Sequence, residues 1–258
     1  MTAVSTERVA SFDGVELAVH RLGEGRPVVL LHGLFSDART NWIRFGHAQR
    51  LADAGFAAIM PDLRAHGQSA RPHDPAAYPE DVLVKDALAL IAHFELEGFD
   101  LGGFSLGART AVRCVVQGLS PRRMVLGGMG LEGLAGWARR AAFFIDAIDR
   151  FDDVKHGDPA FMAVAFMKTQ KVDRVAARLV LQSVDDTQPE DLARVAMPTL
   201  VVCGDKDRDN GSPEALAEAL PQARLESVPG THMSSVTERA LGEAITRFLS
   251  EPVESAGR

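Results

Sequence analysis

The chain has 258 residues, 46% of them hydrophobic and 24% charged, with a formal net charge of −7. That length can bury a core without disulfide or metal staples, and an acidic balance with no basic cluster argues against a nucleic-acid partner. Cys114 and Cys203 each stand alone inside an apolar run, which excludes a spaced zinc or redox motif and predicts buried, reduced thiols.

The opening residues, MTAVSTERVASFDG, have neither a basic start nor an apolar stretch, so no secretory signal is expected. No run approaches the ~18 apolar residues of a membrane span, and the expected setting is cytoplasmic with no membrane partner. Strand-like runs then end in glycine or a polar residue: PVVLLHG at 27–33, FAAIMPD at 56–62, FDLGGFS at 99–105 and RMVLGG at 123–128. Helical patterns lie between them. Leu83, Ala87, Leu90, Ile91 and Phe94 recur at three and four, as on one helix face. The segment from Leu106 ends at Gly118, a C-terminal helix cap in prospect. This alternation predicts an α/β fold with a mostly parallel sheet covered by helices on both faces.

From 131 to 190 the rhythm breaks into helical segments with no strand between them. We read 1–130 and 191–258 as one core and 131–190 as a helical insertion in it. After it, TLVVCGDKD at 199–207 is a strand running into a polar loop, and Ser212-Pro213 marks the start of a helix. ARLESVPGTH is a further strand ending in a loop. Ser235 and Glu238 have the spacing of a capping box for the last helix.

The sharpest chemical signal is Gly103-Phe104-Ser105-Leu106-Gly107, a G-x-S-x-G sequence between a strand and a helix. That is the setting of a nucleophile elbow, where a serine sits in a strained turn between small neighbours. Such a turn exposes the Ser105 hydroxyl and aims the Leu106 backbone N–H at the reacting centre. His32-Gly33-Leu34-Phe35 follows another strand, and the Leu34 N–H is the candidate second donor of an oxyanion hole. Here Gly33 would let the backbone approach a substrate closely, and His32 would order the loop. His232 follows Pro229-Gly230 near the chain's end, and Asp205, Asp207 and Asp209 cluster after an earlier strand. Serine, acid, histidine is the chain order of a triad on this kind of sheet, with His232 as the base.

These motifs together, HGLF at 32–35, DLRAHGQS at 62–69, GFSLG at 103–107 and the GDKD and GTH loops, resemble the α/β-hydrolase superfamily over nearly the whole chain. The resemblance implies that Asp62, Arg64 and His66 order a loop rather than catalyse, and that the helical insertion at 131–190 is a lid over an active site. In proteins of this kind the acid stands three positions after the strand-ending glycine, which selects Asp207. Haloalkane dehalogenases and epoxide hydrolases of similar fold use aspartate at the elbow, so Ser105 disfavours both reactions. Within the lid, Trp137, Phe143, Phe144, Phe161, Met162, Phe166 and Met167 form an apolar face. Most of it is expected to pack on the core, and any part that lines a pocket favours an apolar, small to medium substrate.

Gly128-Met129-Gly130-Leu131-Glu132-Gly133 formally matches a dinucleotide-binding turn, but Asp149 lies in a helical pattern where a strand should end. No cofactor is therefore expected, and no metal-ligand spacing occurs. The expectation is a serine hydrolase cleaving a small-molecule carboxylic ester, lactone or thioester through an acyl-enzyme. Rival readings are carbon–carbon or peracid chemistry by the same triad, or a ligand-binding protein with little turnover.

Overall fold

Neighbouring residues in the central strands face opposite ways, and both sides are apolar. Val29 and Leu31 join one buried cluster, Val28 and Leu30 the other; Val201 and Cys203 divide from Leu200 and Val202 likewise. Strands of this composition must be covered on both faces.

The computed structural model describes residues 3–252; residues 1–2 and 253–258, which the expected core segments include, lie outside it. The elements are β1 (Ser5–Ala10), β2 (Glu16–Leu22), β3 (Arg26–Leu31), α1 (His47–Asp53), β4 (Phe56–Pro61), α2 (Val82–His93), β5 (Asp100–Phe104), α3 (Leu106–Val116) and β6 (Met124–Gly127). They continue with α4 (Trp137–Asp149), α5 (Phe161–Thr169), α6 (Arg174–Ser183), β7 (Thr199–Gly204), α7 (Pro213–Ala219), β8 (Ala223–Val228) and α8 (Arg239–Ser250). One sheet holds all eight strands in the order β1-β2-β4-β3-β5-β6-β7-β8. β2 pairs antiparallel with β1 and β4, and the remaining pairs are parallel. The expected mostly parallel sheet thus forms, with an antiparallel edge. β1 escaped the sequence reading because it is an edge strand with only Val9 buried, so its apolar alternation is weak.

Helices α1 and α8 cover one face with Ala48, Leu51, Ile245 and Phe248; α2, α3 and α7 cover the other with Leu90, Val112 and Leu216. Fully burying one such aliphatic side chain stabilises by roughly 1.5–3 kcal/mol. β3 sits between β4 and β5, so the chain leaves β3 in one direction and returns on its other side. That reversal opens a crevice at the carboxyl ends of β3 and β5, the usual ligand position in open α/β sheets.

Between β6 and β7 the described residues form α4, α5, α6 and short 3₁₀ turns, with no strand. Trp137, Ile148, Val164, Met167 and Val180 of this segment join the cluster on the α2–α3 side. α5 and α6 are separate because Lys171 has a φ of 51° and the Asp173 carboxylate caps α6, accepting from the Val175 and Ala176 N–H groups. Among the described residues no helix is long and apolar enough to cross a membrane.

Helix ends follow local chemistry in two cases and not in a third. Gly118, at a φ of 103°, closes α3 with its N–H on the Val115 carbonyl (2.9 Å) while Leu119 N–H reaches Cys114 (3.0 Å). The Ser212 hydroxyl accepts the Ala215 N–H at 3.1 Å, capping α7. The expected capping box of Ser235 and Glu238 does not form. Ser235–Thr237 is a separate 3₁₀ turn, α8 starts after Glu238, and no side chain caps it. The Ser235 hydroxyl instead turns to the His232 carbonyl at 3.5 Å, drawn into the preceding loop.

Candidate active site

Ser105 has a φ of 53° and a ψ of −115°, a conformation costly for a residue with a Cβ. The turn is held from both ends: Ser105 N–H donates to Gly127 O at 2.8 Å, and Arg109 N–H returns to Ser105 O at 3.0 Å. The residues two positions to either side must be glycine. A Cβ on Gly103 would lie 2.2 Å from the Gly107 carbonyl carbon, and one on Gly107 would lie 2.1 Å from the Leu31 oxygen. Sequence thus dictates a tight strand–turn–helix, and the turn lifts the hydroxyl above the sheet's carboxyl edge.

Loops after β7 and β8 deliver two further side chains. His232 Nε2 is 3.0 Å from Ser105 Oγ, and His232 Nδ1 is 2.9 Å from Asp207 Oδ2. With Asp207 ionised, Nδ1–H donates to it and Nε2 is free to accept the serine proton. All three are nearly inaccessible: Ser105 and His232 are 8% exposed and Asp207 3%. Phe104 lies beside the imidazole, with ring centroids 5.2 Å apart. Asp207 Oδ1 accepts the Asp209 N–H at 3.1 Å, which fixes the carboxylate's second oxygen. Of the three neighbouring aspartates, then, the structure brings Asp207 to the histidine. Asp205 accepts the Gly230 N–H, and Asp209 is exposed.

The Leu34 and Leu106 N–H groups have no acceptor among the described residues, and both residues line the same small cavity as Ser105. Gly33 precedes Leu34 without strain. A Cβ there would rest 3.5 Å from Ser105 Cβ, an ordinary contact, so its smallness clears space beside Ser105 rather than permitting an unusual backbone.

His32 holds this loop. Its Nε2 accepts the Leu63 N–H at 2.9 Å and its Nδ1 donates to the Gly33 carbonyl at 2.8 Å, which defines a neutral ring with both nitrogens occupied. Burial keeps its proton affinity below the ordinary histidine value. Asp62 accepts from the Ala38 and Gln68 N–H groups (2.8 and 2.7 Å) and from His20 Nε2 at 3.2 Å. Fully buried Arg64 pairs with Asp86 and Asp13, each through two hydrogen bonds. His66 donates from Nδ1 to the Arg64 carbonyl at 2.9 Å. The 62–66 residues therefore knit the β3 and β4 loops to the N-terminal hairpin and to α2, away from Ser105.

Asp207, Asp209 and His232 have potential ligand atoms within 4.8 Å of one another. His232 already uses both ring nitrogens, so this group has no imidazole lone pair to offer a cation. Cys114 and Cys203 are free and buried, and burial pushes both thiols up to about 12, beyond nucleophilic use at neutral pH. Asp149 sits on α4 in an ion pair with Arg178, far from the role of a ribose ligand.

Three cavity residues have no sequence signal: Arg109, Arg140 and Asn210. Asn210 donates to the Gly128 carbonyl at 2.7 Å, tying the aspartate loop to the end of β6. Arg109, 1% exposed, comes from α3 and pairs with Asp186. Arg140 comes from α4. An arginine in an amphipathic helix ordinarily faces solvent, so nothing in WARRAA marks it. Trp137 completes the apolar side of the cavity, which at about 10 Å³ has room for a single water molecule.

The sequence profile of the alpha/beta hydrolase family matches residues 28–244. Among curated proteins, the chain is 36% identical to the AB hydrolase superfamily protein YisY of Bacillus subtilis over 99 residues, 38% of this chain and 35% of that protein. It is 33% identical to an epoxide hydrolase of Caballeronia sordidicola over 115 residues, 43% of this chain and 34% of that one. The matched stretch spans about a third of the length of these relatives. In fold, the chain is similar to the enol-lactonase of Burkholderia xenovorans, with a TM-score of 0.75 at 21% identity over 95% of this chain and 100% of that one. The family match runs from within β3 to within α8 and so takes in every loop that surrounds Ser105: this chain belongs to the alpha/beta hydrolase family.

Proposed function

We propose that the protein is a serine hydrolase that cleaves a carboxylic ester, or a related lactone or thioester, through an acyl-enzyme on Ser105. The observation that carries this reading is the unbroken hydrogen-bond chain Ser105–His232–Asp207 beside two backbone N–H groups without acceptors. Ser105 Oγ attacks the carbonyl carbon while its proton passes to His232 Nε2. The tetrahedral oxyanion lies between the Leu34 and Leu106 N–H groups, each contributing on the order of 3 kcal/mol. Asp207 keeps Nδ1 protonated and stabilises the imidazolium. Collapse breaks the ester C–O bond, and His232 gives its proton to the departing alkoxide. Water, deprotonated by His232, then attacks the acyl carbon, releases the acid and restores the Ser105 hydroxyl.

Similarity to an epoxide hydrolase does not redirect the chemistry, because the elbow holds a serine in GFSLG. Leu34, Met129 and Trp137 make part of the cavity apolar, which supports a small to medium substrate with an apolar portion. Since the cavity holds no more than a water molecule, α4–α6 would act as a lid that shifts to admit it. Turnover of p-nitrophenyl acetate and butyrate tests the reading. Repeated release of nitrophenol, abolished in Ser105→Ala, with a fluorophosphonate label found on Ser105 by mass spectrometry, is the expected result. A single stoichiometric burst, or full activity in Ser105→Ala, would overturn it.

A further inference from the structure

We propose that Arg140 reads a carboxylate on the substrate, so that the preferred ester carries a second, negatively charged group. The inference rests on the ester-hydrolase reading above and names the substrate class for the same site. Arg140 projects from α4 into the cavity that Ser105, Leu34 and Leu106 share. Its guanidinium makes one hydrogen bond, from Nη1 to the Asp209 main-chain oxygen at 2.8 Å, and it has no carboxylate within ion-pair distance among the described residues. Its side chain is flanked by the Phe144 ring, with the guanidinium carbon 5.6 Å from the centroid. Desolvation disfavours its charge, and the nearby Asp207 and Asp209 carboxylates only partly oppose that effect.

The other charges around the cavity are committed. Asp207 is spent on His232, and Arg109 is held by Asp186 and the Asp185 and Gly133 carbonyls. Arg109 Nε is nevertheless buried with no acceptor, so a second donor beside the cavity is unsatisfied. A guanidinium beside apolar Trp137 and Leu34, tied only to a neutral carbonyl, stands to gain from a charged acceptor. Replacing that carbonyl by a carboxylate would convert a neutral acceptor into a charge-assisted, potentially bidentate one, roughly twice as strong. The substrate would enter with its carboxylate toward α4 and its scissile carbonyl toward Leu34 and Leu106.

The test compares kcat/KM for p-nitrophenyl glutarate, which keeps a free carboxylate, with p-nitrophenyl butyrate, and 3-acetoxybenzoate with phenyl acetate. The first pair places the charge on the acyl half and the second on the alcohol half. We expect one pair to favour the charged ester by about tenfold, and Arg140→Gln to reduce that ratio by about tenfold or more, chiefly through KM. The exposed neighbour substitution Arg139→Gln serves as the charge control and should leave the ratio in place. A ratio unaltered by Arg140→Gln overturns the inference while the ester reading stands. So does an equal loss on charged and neutral esters, which would make Arg140 a brace for the Asp209 loop. If no ester turns over, the ester reading fails by itself, and calorimetry on Ser105→Ala decides the inference separately. Monomethyl glutarate should then bind more tightly than methyl butyrate, and adding Arg140→Gln should weaken it about tenfold; equal or undetectable binding refutes the carboxylate site.

Discussion

Asp205 and Gly230 join the two loops that converge on Ser105: the Asp205 carboxylate accepts the Gly230 N–H at 2.8 Å. Lys206 N–H adds a bond to the Gly230 carbonyl at 3.0 Å, and a Cβ on Gly204 would lie 2.2 Å from that same oxygen. The Asp205–Asp207 loop and the His232 loop are thus one braced unit, in which Asp205 ties the loops together and Asp207 faces His232.

Asparagine substitutions separate those tasks. Asp207→Asn leaves the shape but removes the charge that fixes the His232 tautomer, and kcat should fall by up to about 10⁴. Asp205→Asn should act through loop stability, with a loss of activity below about tenfold accompanied by a lower Tm. Asp209→Asn should change little, since its side chain is exposed. Steady-state kinetics with thermal melts on the three variants would check this ordering. A crippled Asp205→Asn or Asp209→Asn beside an active Asp207→Asn would mean that the acid is misassigned.

Gly107→Ala tests the elbow itself. Its new methyl group would meet the Leu31 carbonyl at 2.1 Å, and the backbone of β3 cannot yield without moving the His32 loop. We expect a stability loss of several kcal/mol, at the upper end for single substitutions, and activity reduced at least about a hundredfold. Gly33→Ala, whose Cβ would rest in ordinary contact at 3.5 Å and whose φ, like that of Gly107, is not positive, gives the reference for a glycine beside Ser105 without a backbone clash. Equal melting temperatures for the two variants would rule out the steric account.

His66 makes stability fall in acid. Its buried ring is pushed down to about 3, mainly by desolvation, and Nε2 has no partner that could accept a proton's hydrogen bond. The unfolded chain binds that proton near the ordinary value of about 6.5. Between about 6.5 and 3 the unfolded state therefore holds more protons, and stability declines as pH falls, by up to about 1.4 kcal/mol per unit for this group. Above about 6.5 both states are neutral and the effect vanishes. In His66→Gln the acid limb of a urea-unfolding pH profile should be visibly shallower than in the wild type. Superimposable slopes would remove His66 from the account.

Phe144 and Phe143 are adjacent on α4 but differ in surroundings. Phe144 meets Phe35 edge-on, with centroids 5.4 Å apart, next to Leu34; Phe143 is 41% exposed. If α4–α6 is a lid, Phe144→Ala should shift preference toward longer acyl chains by about fourfold for each methylene admitted. Its Tm should drop only modestly, because an edge-on aromatic pair adds about 0.5–1.5 kcal/mol. Phe143→Ala removes only its edge-on pair with Phe144, centroids 5.2 Å apart, and should lower the Tm slightly while leaving the chain-length preference unchanged. Profiling p-nitrophenyl esters from acetate to octanoate would show it, and an unchanged profile in Phe144→Ala would assign that ring to packing alone.

Much of this molecule is legible along the chain because its rules are local. Two-sided apolar strands, the 3.6-residue repeat of α2, the glycines around Ser105 and the Gly118 cap each depend on residues within a few positions of one another. Sequence by itself therefore determined the α/β character, the strained Ser105 turn and the set of loops that had to meet. The choice of Asp207 over Asp205 and Asp209 came from the family resemblance and not from a local rule, because it depends on a histidine 25 positions beyond Asp207 and a serine 127 positions before that histidine. Only the parallel register of β7 with β8, and of β5 with its neighbours, brings those loop ends to one edge. The same holds for Ser235, whose capping pattern yields to the His232 loop, and for Arg140, whose helix face becomes a cavity wall once α4 lies over the sheet. Periodicity and turn chemistry write the elements, while contacts between distant loops are decided by strand order and register, which no local pattern encodes.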